Sequence, residues 1–191
     1  MTHPLQVIPR PSSPSAAPQG RTLGEPALDR GLLTLLSVIA AITVGNLYLA
    51  QPLLAEIEHS FHTKPIDVGA IVTLTQTGYA VGLLSIVPLG DLVERRSLIL
   101  ALLAAVTASL VLTAHAPSLA VLAIASLLVG FTTVVPQIVV PYAATLAPSA
   151  RRASVLGTLQ AGLLLGITLA RTFAGLLASV AGWRSVFVAA E

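Results

Sequence analysis

Cysteine is absent from all 191 residues, which rules out disulfide frameworks and thiolate metal sites. Charge is scarce as well. Asp, Glu, Lys and Arg make up 9% of the chain, where a soluble globule carries about a quarter. Aromatic residues are 4%, with a single Trp, so no stacking platform for bases exists. The ten Lys and Arg occur singly or in pairs, and the net charge of +2 therefore does not point to nucleic acid. HExxH and Gly-x-Ser-x-Gly motifs are missing, and no His or acid sits inside an apolar run to act as a general base. An enzyme is thus not expected, nor is a cofactor.

What the chain does have is hydrophobic length. Apolar residues account for 55% of it. They gather into runs of about 20 residues, the length needed to cross a hydrocarbon core. Five complete transmembrane spans are expected, at about 31–54, 68–89, 97–114, 119–146 and 155–180, followed by a stub at 185–191. Residues 1–30 hold Pro4, Pro9, Pro11, Pro14, Pro18 and Pro26 and read as a disordered cytoplasmic tail. With lipid as solvent, each span is expected to be helical, giving an all-α integral membrane protein.

Basic residues set the expected orientation. Arg10, Arg21, Arg30, Arg95, Arg96, Arg151 and Arg152 fall on one side, against Lys64 and Arg184 on the other. The tail side is therefore read as cytoplasmic, in the inner (plasma) membrane. The stretch 55–67, with Glu56, Glu58, His59 and His62, reads as a solvated outward loop, because its spacing matches no zinc or HExxH pattern.

Polar residues within the spans are the informative ones. Asn46, Tyr48 and Gln51 lie in the first, Thr73, Gln76 and Thr77 in the second, and Thr133 and Gln137 in the fourth. Gln160 and Arg171 share a face of the fifth. Such groups either bond between helices or line a shared aqueous path. Asn46, Gln51, Gln76, Gln137 and Arg171 are the expected path residues. Arg171 stands out, since a charge inside a span is costly and no acid within the spans can pair with it. Gly162, Gly166, Ala170 and Ala174 recur every four residues on another face, a stripe suited to close helix packing. Pro136 and Pro141 predict a kink in the fourth span.

The loop PLGDLVERRSL, Pro88 to Leu98, resembles the signature loop of the major facilitator superfamily, a Gly-x-x-x-Asp-Arg-x-Gly-Arg-Arg pattern in the same place. Asp91 matches its acid, and Arg95 and Arg96 match its basic pair. Val87, Leu92 and Glu94 depart from the first glycine, first basic residue and second glycine. Gly157 and Gly166 resemble the first glycines of the antiporter signature in the drug–proton branch. Its later Gly-Pro is replaced by Ala170-Arg171, while Gly175 fits its end. Ser126 stands where that family's fourth span carries an arginine, so a standard proton-coupling role is not implied. NLYLAQPLL, VPQIVVP and GWRSVF also resemble efflux-type bacterial members.

The resemblance implies the N-terminal six-helix half of the major facilitator fold, with Asp91, Arg95 and Arg96 as a conformational latch. It further implies efflux-type transport of a small solute by alternating access. A missing second half or a homodimer partner would face this one, which makes the chain read as truncated. A non-transporting membrane fragment, or a helical subunit of a larger complex, is the alternative.

Overall fold

The computed structural model describes residues 29–191, and every regular element among them is helical. The expected disordered tail lies outside the described residues, apart from its last two positions. In chain order the helices are α1 (Arg30–Gly45), α2 (Leu54–Phe61), α3 (Pro65–Leu89), α4 (Arg95–Ala114), α5 (Leu119–Thr132), α6 (Val135–Leu146), α7 (Arg152–Ala181) and α8 (Trp183–Ala190).

Four elements are long and apolar enough to cross a membrane: Pro65–Leu89, Arg95–Ala114, Leu119–Leu146 and Ser149–Ala181. The first expected span differs. Its helix stops at Gly45, and the chain continues through tight turns to a 3-10 turn at Gln51–Leu53. Asn46 and Tyr48 bond back only three residues, and Pro52 has no N–H to extend an α-helical ladder. The stretch expected to be a loop at 55–67 is largely α2, closed by His62 in the left-handed conformation (φ 51°). The stub begins earlier than expected, at Trp183, because Gly182 at φ 83° ends α7.

Side-chain caps begin two of these helices, α1 and α5. Asp29 accepts the Gly31 N–H at 3.4 Å, and Ser118 accepts the Val121 N–H at 3.4 Å. Pro65 opens α3, where a missing N–H does no harm, and Asp67 sits in its first turn. Many intramembrane hydroxyls turn back on their own helix. Thr43, Thr75, Ser109, Thr113 and Ser126 each donate to the carbonyl four residues earlier. The Ser126 hydroxyl is thereby satisfied within α5 and is buried.

Two helix pairs form the bundle, α3 against α5 and α1 against α7, and α4 and α6 join them. Glycine permits both close crossings. A Cβ on Gly78 or Gly130 would run into backbone of the facing helix, at Leu127 and Thr75 respectively. Gly166 likewise abuts the Ala41 backbone, and Gly162 faces Ser37. The small-residue stripe of α7 therefore lies on α1, with Ala170 against Gly45 and Ala174 fully buried.

The core divides into two apolar clusters. One, nearer the Trp183 end, joins Leu53, Ile57, Ile71, Leu110, Leu122 and Phe187. The other, nearer the Arg95–Arg96 end, joins Leu36, Ile86, Leu102, Ile138, Val155 and Leu159. Both helix interruptions, at Asn46–Ala50 and at Thr133–Val134, occur where the chain passes from one cluster to the other.

Candidate functional site

The two interruptions set the site. At Thr133–Val134 the α5 helix ends, and Pro136 then opens α6. The kink expected from proline is thus a full break just ahead of Pro136, while Pro141 remains inside α6. Thr133 is buried, and its hydroxyl has no hydrogen-bond partner among the described residues. Four residues on, Gln137 is exposed although Thr132 to Pro136, Ile138 and Val139 are all buried. Its side-chain N–H donates to the Tyr79 hydroxyl of α3 at 2.9 Å. This bond ties α6 to α3 on an open face.

At the other interruption, Tyr48 projects from the turn after α1 and is half-buried. The Arg171 guanidinium of α7 lies over its ring, 4.8 Å from the centroid. That contact orients the cation without neutralising it. The only salt bridge among the described residues is elsewhere, between Arg95 and Asp91.

The other path candidates divide. Gln76 is exposed one turn before Tyr79, in an open groove with Thr73, Thr77, Ala80, Val81 and Leu84. Thr73 and Thr77 donate to their own helix, at Gly69 and Thr73, which leaves Gln76 as the group there with free donors. Gln51 is half-buried in its 3-10 turn. Asn46 is buried where α1 ends. Gln160 is exposed on the Arg171 side of α7. Gly157 and Gly175 flank that face with open space beyond them, unlike Gly162 and Gly166.

The latch residues cluster at one loop. Arg95 donates to Asp91 at 3.3 Å and to the Gly90 carbonyl at 3.4 Å, while Asp91 is 77% exposed. An ion pair so open to solvent contributes little to stability, so the arrangement is easily broken and remade. Arg96 is exposed. Glu94, in place of the pattern's second glycine, sits at the α4 N-terminus and accepts the Ser97 hydroxyl at 2.8 Å.

A second constellation was not anticipated. Glu56 of α2 accepts the Trp183 main-chain N–H at 2.9 Å, and the Trp183 indole N–H donates to Ser60 at 3.0 Å. Arg184 stacks on the Trp183 ring at 4.2 Å and donates to the Ala116 carbonyl at 3.0 Å. Together they clamp α2, the α4–α5 turn and the α7–α8 junction at one end of the bundle. Glu56 is thus a half-buried acid with a packing role. No group of three or more metal-ligating side chains occurs among the described residues.

The sequence model of the Major Facilitator Superfamily matches residues 35–190. The chain belongs to that superfamily. It is 48% identical over 160 residues to "Uncharacterized transporter YgaY" of Escherichia coli, covering 84% of this chain and 41% of the relative. It is 41% identical over 190 residues to "Probable transporter SCO4007" of Streptomyces coelicolor, covering 98% of this chain and 44% of the relative. This facilitator-superfamily chain therefore spans less than half the length of these curated relatives. With its apolar helices, it is a multi-pass membrane protein.

Proposed function

We propose that the chain forms one half of an alternating-access transporter, of efflux type and close to the drug–proton-antiporter-like branch, that moves a small organic solute. Tyr48, Gln51, Gln76, Tyr79, Gln137, Gln160 and Arg171 form its half of the solute path, and a second six-helix half or a second copy faces them. The observation that carries this reading is Gln137, an exposed amide bonded to Tyr79 within an otherwise buried apolar run. An amide on a lipid-facing surface would be costly, whereas on a water-filled wall it is at home. The breaks beside Tyr48 and Gln137 supply bending points, and the Asp91–Arg95 pair supplies a contact that switches with conformation. The Arg95–Arg96 end is cytoplasmic under this reading.

Flux in proteoliposomes tests it. Benzoate, benzamide and benzylamine offer one ring with negative, neutral and positive substituents. At least one should cross faster than through protein-free vesicles, and Gln137→Leu should slow it severalfold. Absence of protein-dependent flux for all three, with the chain folded, would count against transport.

A further inference from the structure

Among the described residues, the proposed solute face carries one charge, and that charge is positive. The described acids are Asp29, Glu56, Glu58, Asp67, Asp91, Glu94 and Glu191, all at helix ends or in turns. Glu56 is already engaged with Trp183, and Asp91 with Arg95. Arg171 lies about 15 Å from the Ala181 end of α7 and about 29 Å from the Arg152 end, at 1.5 Å per residue. It is therefore well inside the span. Its guanidinium has a Tyr48 ring on one side and no carboxylate within ion-pair distance among the described residues.

We infer that Arg171 is the anion anchor of this path, and that the solute is a small organic carboxylate. The inference rests on the proposed transport function and narrows it to a substrate class. A guanidinium offers paired N–H donors that match a carboxylate's two oxygens. Stacking on Tyr48 holds the planar cation in place, so little orientation is lost when an anion arrives. The field also discriminates. An organic cation would meet a positive charge that no described acid offsets, and would be disfavoured relative to an anion. Further along the path, toward the Arg95–Arg96 end, the Tyr79 hydroxyl and Gln137 amide provide neutral hydrogen-bonding groups for the solute's other end. The polar wall thus runs from a cationic station on α7 to a neutral one on α3 and α6.

The experiment uses the same three probes in proteoliposomes, with Arg171→Gln and Arg171→Lys beside the unaltered chain. Benzoate flux should exceed that of benzamide and benzylamine. Arg171→Gln should reduce benzoate flux at least tenfold, and Arg171→Lys should keep an intermediate rate, since it retains charge without the fork. Benzoate should also protect a cysteine placed at Gln76 from a hydrophilic thiol reagent, and Arg171→Gln should abolish that protection. This readout does not depend on turnover. If benzylamine or benzamide moves as fast as benzoate, transport stands and the anion anchor is overturned. Equal benzoate flux and protection with and without Arg171 overturns it too, as would an Arg171 held by an acid of a facing bundle. If none of the three probes moves or protects, the transport reading fails and takes this inference with it.

Discussion

Replacing Gly130 by alanine should destabilise the bundle, although alanine is the better helix former. Gly130 lies where α5 crosses α3, and an added Cβ would strike the Thr75 carbonyl and crowd the Tyr79 main-chain nitrogen. These neighbours are backbone atoms, which cannot rotate aside, so the two helices must separate. Overpacking of a tight core costs about 1–3 kcal/mol, and the improved helix propensity returns up to about 1 kcal/mol. With the full propensity gain returned, the expected net loss is up to about 2 kcal/mol. Gly157→Ala is the matched control, because nothing lies within 4 Å of a Cβ there. It carries the propensity term alone, a gain of up to about 1 kcal/mol. Unfolding in mixed detergent and SDS micelles reads both, followed by Trp183 fluorescence. This residue is the chain's single Trp and is 2% exposed. If Gly130→Ala proved as stable as Gly157→Ala, the close α3–α5 crossing would be refuted.

Three further outcomes are expected. Glu56→Ala leaves the Trp183 N–H at the start of α8 without its acceptor, at a cost of about 1–3 kcal/mol; a lower SDS midpoint and a red-shifted Trp183 emission would report it. Asp91→Asn should change stability by no more than about 1 kcal/mol, since its partner contact is open to solvent. It should nonetheless slow flux severalfold, and an unchanged flux would remove the pair from the conformational cycle. Cysteines at Ser149 and at Thr63 should react with an impermeant thiol reagent from opposite sides of the membrane, Thr63 from outside intact cells and Ser149 only after lysis.

The long spans were legible because hydropathy reports solvent, and α3, α4 and α7 are continuous in both sequence and structure. The break after Gly45 was not, because apolar residues continue straight across it to Leu54. What stops the helix is local, the turn at Asn46–Ala50 followed by Pro52. In sequence, Glu56, Glu58, His59 and His62 interrupt the apolar run and give the pattern of a loop, yet they lie on or cap the short amphipathic helix α2, whose Ile57 is wholly buried. Gly78 and Gly82 form a four-residue small-residue repeat in α3, a pattern that marks the α5 crossing just as the longer stripe marks the α7 crossing. Arg171 and Gln137 could be singled out from sequence because polar groups in lipid are costly. Their partners Tyr48 and Tyr79 could not be assigned, since tyrosine is unexceptional in a span. The Glu56–Trp183 contact joins residues 127 positions apart, and no local pattern encodes it.

The most direct measurement exploits the missing cysteines. Single cysteines at Gln76, Gln137, Gln160 and Arg171, and at the exposed apolar positions Leu100 and Ile124, can be introduced without a background thiol. Each variant is treated in native membranes with a hydrophilic methanethiosulfonate reagent. Rapid modification of the first four, with Leu100 and Ile124 protected by lipid, is the result expected of a water-filled solute wall. Protection of all six, or equal reactivity across them, would contradict it.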